Sequence, residues 1–171
     1  MLSIKLLGAI LIIGASTWVG LHASRSVKRL DRRLRELCDS LELMKNELCF
    51  TNTSFEPLCR RLSESARGEV SAFFRELSQQ AGTKDFSPVG AAKRASDAAK
   101  LNLPPASFFA LERLIDGFGR YDLDGQLRQI ELAQQELSAQ LARNREDMDS
   151  RCRTYELLGI CTGAAVIILV I

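Results

Sequence analysis

The side chains best suited to catalysis or metal binding are five cysteines and a single histidine. The cysteine number is odd, no two cysteines form a C-x-x-C pair, and each lies in or beside a helical pattern. We interpret them as small apolar side chains in a reducing compartment rather than as a disulfide framework. A cysteine nucleophile is an alternative, but its thiolate would lack the usual partner, because His22 lies at the edge of an apolar segment. The cysteines are Cys38, Cys49, Cys59, Cys152 and Cys161.

Other motifs that carry chemistry are missing or incomplete. The only histidine, His22, lies at the edge of an apolar segment, which argues against a histidine-dependent triad, and one histidine cannot form a His-x-x-x-His metal site. No G-x-x-x-x-G-K-[ST] motif is present to hold nucleotide phosphates. The sequence DLDG at 122–125 resembles part of a calcium loop, but it lacks the third ligand position and the closing glutamate. We therefore expect Asp122 or Asp124 to cap a helix, and we expect no metal, no cofactor and no catalytic residue.

The length and composition fit a single domain whose two ends are unusually apolar. The chain has 171 residues, 46% of them hydrophobic and 26% charged, and a net charge of +2. This small net charge argues against a general nucleic-acid-binding protein. The apolar residues are concentrated at the two ends of the chain.

The first apolar end carries no charged side chain from Leu6 to Leu21. With its flanks it covers about 20 residues, or about 30 Å of helix, which is enough to cross a bilayer. We predict a transmembrane helix over residues 1–23. A secretory signal peptide is the main alternative, but the candidate cleavage site at Ala23 is poor, and the basic run that follows resists translocation.

The second apolar end, Leu157 to Ile171, is shorter. It gives about 23 Å of helix, which is marginal for a span, and its β-branched residues leave a buried core element as an alternative. Gly159 and Gly163 form a small-x-x-x-small pair suited to helix packing in lipid. We predict a second transmembrane helix over residues 155–171, and a helical domain over residues 24–154 between the two.

Basic residues decide the expected orientation. Both apolar ends carry arginines and lysines on the side that faces the middle of the chain, whereas only Lys5 lies on the other side. The positive-inside rule therefore places residues 24–154 in the cytoplasm of a protein in the cell membrane. The residues expected at the membrane interface are Lys5, Trp18, Arg25, Lys28, Arg29, Arg153 and Tyr155.

One heptad pattern follows the first apolar end, and a second heptad pattern precedes the second apolar end. We call these two patterns the helix seams. They predict two long antiparallel helices, over about residues 2–49 and 123–171. The second seam has polar breaks at Gln134 and Asn144. The apolar seam positions are Val27, Leu30, Leu34, Leu37, Leu41, Met44 and Leu48 in the first helix, and Leu127, Ile130, Leu137, Leu141 and Met148 in the second.

Four shorter helices are expected between the seams. TSFEPLCRRLSES has Thr53 or Ser54 as its N-cap, and GEVSAFFRELSQQAG ends at Gly82. In SPVGAAKRASDAAK, Ser87 is expected to cap the helix and Pro88 to take its first position. PPASFFALERLIDGFG begins with prolines and ends at a glycine, and no segment alternates as a strand would. The sum is an all-α bundle of about six helices, with bulky core residues Phe73, Phe74, Phe108, Phe109, Leu111, Leu114 and Ile115.

Three segments resemble one protein family. They are KLLGAILIIGASTWVGLHAS near the start, GFGRYDLDGQLRQIELAQQEL before the second seam, and YELLGICTGAAVIILVI at the end. In order and spacing they resemble the stage III sporulation protein AB family, over essentially the whole chain. One departure is Phe118 ahead of Gly119, where the family usually has Leu-Gly.

The resemblance implies a role in endospore formation. The family belongs to a secretion-like complex that links mother cell and forespore during engulfment. Its soluble part resembles the helical domain of the platform protein of type II secretion and type IV pilus machines. The implied partners are the membrane, a cytoplasmic ATPase similar to stage III sporulation protein AA, other subunits and a second copy of the chain. A generic coiled-coil membrane scaffold, or a platform protein of another secretion or pilus system, is the alternative.

Overall fold

A computed structural model describes the backbone of residues 28–50, 54–83 and 86–170, and side chains as far as residue 146. This part of the chain contains helices and no strand, as the all-α prediction requires. The six helices are α1 (residues 28–50), α2 (Phe55–Ser65), α3 (Gly68–Ala81), α4 (Ala91–Ala99), α5 (Pro105–Asp116) and α6 (Leu123–Val170).

The chain divides into two compact units, one formed by residues 32–142 and one by residues 1–31 with 143–171. The larger unit holds the hydrophobic core, which is built from one apolar face of each helix. Phe73 and Phe74 lie at its centre, each 1% exposed, with ring centroids 5.2 Å apart in an edge-to-face arrangement. The largest buried side chains are Phe73, Phe74, Leu34, Leu37, Leu41, Met44, Leu58, Leu62, Leu77, Leu101, Leu111 and Ile115.

Ion pairs hold α1 against the two helices that follow it. The Arg33 guanidinium lies 2.7 Å from a Glu69 carboxylate oxygen, which joins α1 to α3. The Arg61 guanidinium lies 2.7 Å from Glu47, which joins α2 to α1. Such pairs at a surface contribute at most about 1 kcal/mol each, so the apolar core carries the stability and the ion pairs fix the helix alignment.

The ends of α2, α3 and α5 lie close to their predicted positions. Ser54 occupies the N-cap of α2, although its side chain makes no capping hydrogen bond. Gly82 ends α3 and Gly117 ends α5, both with right-handed backbone rather than the left-handed form common at helix ends. Pro105 takes the first position of α5, where its missing N–H costs nothing.

The predicted start of α4 is wrong. Residues 88–90 form a turn, closed by a hydrogen bond of 3.0 Å from the Ala91 N–H to the Pro88 carbonyl. Gly90 is the N-cap, with φ of 72°. A glycine adopts this left-handed conformation without steric cost, so the helix begins after it and Ser87 does not cap.

The core assignment of Phe109 is also wrong. Its side chain is 61% exposed, whereas Leu111, Leu114 and Ile115 on the same helix are buried. On a helix of 3.6 residues per turn, Phe109 falls outside the face that these three residues bury. Phe108 is only partly buried.

The DLDG sequence caps α6, as predicted. The Gly125 N–H donates a hydrogen bond of 3.0 Å to Oδ1 of Asp122, at the start of α6. A cap of this kind satisfies a backbone donor that has no partner inside the helix, and the helix dipole favours the negative charge.

Candidate functional site

The apolar residues of the α1 seam line the inner side of that helix. Leu34, Leu37, Leu41, Met44 and Leu48 are at most 3% exposed. The N-terminal end of the seam is less enclosed, since Leu30 is partly exposed. Val27 lies outside the described residues.

The α6 seam is less completely buried than the α1 seam. Ile130 and Leu137 are fully buried, whereas Leu127 and Leu141 are partly exposed. Met148 lies beyond the described side chains, and the polar break at Gln134 is partly exposed. Asn144, the second polar break, is 7% exposed.

Three side-chain pairs join α1 to α6 within residues 32–142. In each pair the two residue numbers add up to 176, which is the pattern of antiparallel helices held in one register. In the smaller unit, Asp31 and Arg145 form an ion pair of 3.6 Å with the same sum. The three pairs are Cys38 with Ser138 (Sγ to Oγ, 4.0 Å), Glu42 with Gln134 (3.0 Å) and Lys45 with Glu131 (2.8 Å).

The Lys45–Glu131 pair is electrostatically favourable but solvent-exposed. The hydrogen bond between the two groups raises the pKa of the Lys45 ammonium and lowers the pKa of the Glu131 carboxyl. Both groups stay charged at neutral pH, so the pair favours the observed register without titrating there. Water and salt screen it, and its main effect is on which residues face each other.

Sequence reasoning missed one residue of this helix pair. Ala133 on α6 is 3% exposed, although it lies beside the heptad positions rather than on them. Its burial shows that α6 packs through a stripe wider than a two-helix seam. A helix in a bundle usually buries such a wider stripe, and a small residue next to Ile130 and Leu137 is the signal that could have shown it.

The described cysteines have no arrangement for catalysis. Burial raises the pKa of the Cys59 thiol, and partial burial raises that of Cys38, where a hydrogen bond to Ser138 opposes the shift. A raised pKa lowers the thiolate fraction at neutral pH and so weakens a nucleophile. Cys49 is exposed, which differs from the expected buried role, and Cys152 and Cys161 lie beyond the described side chains.

Near these thiols, the described residues form no metal site, and Cys38 borders a groove that is open to solvent. Among the residues that the structure describes, no group of three or more His, Cys, Asp or Glu side chains could hold a metal ion. Beside the α1–α6 pairs lies an open polar groove of 470 Å³. Its lining residues are Cys38, Glu131, Gln134, Gln135 and Ser138, which offer hydrogen bonds but no acid–base pair.

The predicted membrane-interface residues lie mostly outside the described part. Lys28 and Arg29 are exposed in the first turn of α1. Lys5, Trp18 and Arg25 precede the described residues, and Arg153 and Tyr155 follow the last described side chain. Among the described residues, none of the helices combines the length and apolar content needed to cross a bilayer.

The register of the α1–α6 pair predicts that an engineered cysteine on α6 will form a disulfide with Cys38. Replacing Ser138 by cysteine would place a second thiol beside Cys38, where the present Sγ–Oγ distance is 4.0 Å. With Cys49 changed to alanine, mild oxidation should then close an intramolecular bond, seen as faster migration in a non-reducing gel. A Glu136→Cys control, about 200° around α6 from position 138, should cross-link far less. Equal cross-linking at both positions would contradict the register.

Comparison with known proteins adds to this description of helices and contacts. The family model of stage III sporulation protein AB matches residues 5–171. Stage III sporulation protein AB of Bacillus subtilis (strain 168) is 24% identical over 168 residues, covering 97% of this chain and 98% of that protein. A solved structure of stage III sporulation protein AB has a TM-score of 0.62 at 21% identity, covering 71% of this chain and 98% of the solved one. The structural match shows the fold, and the family model covers nearly all of this sequence, so the chain belongs to the stage III sporulation protein AB family.

Proposed function

We propose that this chain is a membrane-anchored scaffold of a sporulation-specific, secretion-like complex between mother cell and forespore. The observation that carries the proposal is the α1–α6 pair, whose four side-chain pairs described above share one antiparallel register. A pair of long helices in a fixed register is suited to transmit position or force, and it needs no reactive group. Membership of a sporulation protein family supplies the cellular context.

The proposed anchors are the two apolar ends, residues 1–23 and 155–171. In this arrangement the chain enters the bilayer twice, with the helical domain in the cytoplasm and both ends across the membrane. Support comes from the basic residues that flank both ends on the inner side. An antiparallel pair also suits this arrangement, because it brings Asp31 of α1 beside Arg145 of α6, next to the two proposed anchors in the chain.

The proposed mechanical role is to couple a cytoplasmic ATPase to the membrane assembly, as in a secretion platform. The chain lacks a phosphate-binding loop, so nucleotide hydrolysis would have to come from a partner. The partner that the family suggests is the sporulation ATPase similar to stage III sporulation protein AA. Retention of that ATPase by the full-length chain in detergent would support the coupling, and its absence would restrict the proposal to a scaffold.

The second candidate is a scaffold or platform protein that acts in another secretion or pilus system. The heptad seams alone would fit that function equally well. The neighbouring genes separate the two, because a sporulation role requires that the chain be encoded with other sporulation proteins.

Thiol labelling tests the proposed topology. In a chain whose five cysteines are replaced by alanine, one cysteine is introduced at Ser3 or, as the matched variant, at Ser87. A membrane-impermeant maleimide added to intact cells should label Ser3→Cys and should reach Ser87→Cys only after the membrane is opened. Labelling of Ser87→Cys in intact cells would overturn the topology and favour the signal-peptide alternative.

A further inference from the structure

An aromatic pair on α5 lies at the surface of the helical domain. Phe109 is 61% exposed, and its ring centroid lies 6.3 Å from that of Phe108. The hydrophobic core does not require the Phe109 ring, because Leu111 and Ile115 already fill the core positions of the same helix. An exposed aromatic ring beside a concave surface is a common anchor of protein–protein interfaces.

Phe108 forms one wall of a groove between α4 and α5. The groove has a volume of 320 Å³ and runs along the end of α4 and the connection to α5. Lys100 and Asn102 in this connection have backbone φ angles of 53° and 42°. This left-handed conformation is uncommon for residues other than glycine. The lining residues are Lys93, Ser96, Asp97, Lys100, Asn102, Leu103 and Phe108.

The groove carries a net positive charge. Two lysines and one aspartate line it, and neither Lys93 nor Lys100 forms an ion pair with any residue that the structure describes. Elsewhere in the larger unit, Arg33, Lys45 and Arg61 all lie against glutamates. The groove therefore offers two available ammonium groups next to an aromatic wall.

We propose that this groove, which we call the α4–α5 groove, binds an acidic segment of a protein partner. Carboxylates of the segment would lie against Lys93 and Lys100, and one of its apolar side chains would cover Phe108 and Phe109. Charge complementarity of this kind fixes orientation, while a desolvated aromatic contact supplies affinity. The proposal goes beyond the scaffold role and does not require that the partner be an ATPase.

A protein segment fits the α4–α5 groove better than an anionic lipid surface. Each lysine gains about 1 kcal/mol near an anionic bilayer, so two lysines give weak attraction, and the Asp97 carboxylate between them opposes it. The groove is concave, whereas a bilayer would present a flat surface to Lys93, Lys100 and the aromatic pair. A chain that presents spaced carboxylates and one apolar side chain can satisfy all three.

Photo-cross-linking in sporulating cells tests the proposal on the full-length chain. Benzoylphenylalanine is placed at position 109, or at position 50 as the control, because Phe50 is 87% exposed and does not line the groove. After irradiation, the cross-linked peptide is identified by mass spectrometry. We expect position 109 to capture a peptide rich in Asp and Glu that position 50 does not capture.

Charge reversal supplies the second arm of the experiment. Lys93→Glu with Lys100→Glu should reduce the yield of that cross-link about tenfold, a typical effect of reversing charges that face a charged partner. The melting temperature of the variant should stay near that of the parent, because Lys93 and Lys100 are both exposed. A captured peptide without acidic residues, a cross-link to lipid only, or an unchanged yield after charge reversal would each overturn the proposal.

Discussion

Changing Leu137 to aspartate is expected to unfold the helical domain. Leu137 is 0% exposed and lies in α6 opposite the α1 seam. An aspartate there would carry either an unpaired charge or an unpaired hydroxyl into an apolar core. Such a change costs several kcal/mol, which is comparable to the whole stability of a domain, about 5–15 kcal/mol.

A matched variant on the same helix separates packing from charge. Leu132 is 45% exposed, so Leu132→Asp adds the same carboxylate in contact with water. We expect it to change the free energy of unfolding by about 0.5 kcal/mol or less. Circular dichroism during urea unfolding of the full-length chain in detergent measures both variants. Equal stability of the two would contradict the burial of this seam.

Phe74→Ala should give the second largest loss of stability. The Phe74 side chain is 1% exposed and packs edge-to-face on Phe73 in the centre of α3. Removing a buried phenylalanine ring typically costs about 3–5 kcal/mol, through lost transfer energy and the cavity that remains. Phe50→Ala is the control, because Phe50 is 87% exposed and should tolerate truncation. A loss below about 1 kcal/mol for Phe74→Ala would show that α3 does not form the centre of the core.

The helices were predictable where the spacing of apolar residues agrees with the residues that mark helix ends. The seams repeat every seven residues, and Gly82, Gly117 and Asp122 mark helix ends that the structure also has. The start of α4 was not predictable from Ser87 and Pro88, because a proline is as acceptable in a turn as in the first position of a helix. The turn that Gly90 completes decides between the two.

Residue type alone could not separate core from surface on α5. Phe108 and Phe109 are adjacent, and two adjacent residues on a helix point about 100° apart, so both are buried only where neighbouring helices cover a wide arc, as they do at Phe73 and Phe74 of α3. Which of the two lies outward depends on how α5 packs against its neighbours. That packing leaves Phe109 at the surface, with its ring centroid 6.3 Å from that of Phe108, which lines the α4–α5 groove.

The sequence predicts that α1 and α6 pair, but it does not determine the register of the pair. The heptads predict that α1 and α6 each have one apolar face. A seven-residue repeat, however, allows several registers between the two helices, which differ from one another by one heptad. Polar pairs such as Lys45 with Glu131 favour one of them. Such pairs are visible only once the two helices are placed side by side, because the paired residues are 86 positions apart in the chain.

Absence of reactive chemistry is the central claim of the scaffold proposal. The thiols of Cys38 and Cys59 have raised pKa values, because burial disfavours their thiolates. Cys49 is exposed at the end of α1, and no described histidine accompanies it. Removal of every thiol and of His22 should therefore leave function intact as long as the fold is kept.

Sporulation frequency measures this claim most directly. The chromosomal gene is replaced by one that encodes His22→Ala together with alanine at all five cysteines, and by one that encodes Leu137→Asp. The scaffold account predicts nearly normal numbers of heat-resistant spores for the first strain, and arrest after engulfment begins for the second. A cysteine-free chain that accumulates in the membrane at normal levels yet yields no spores would contradict the account.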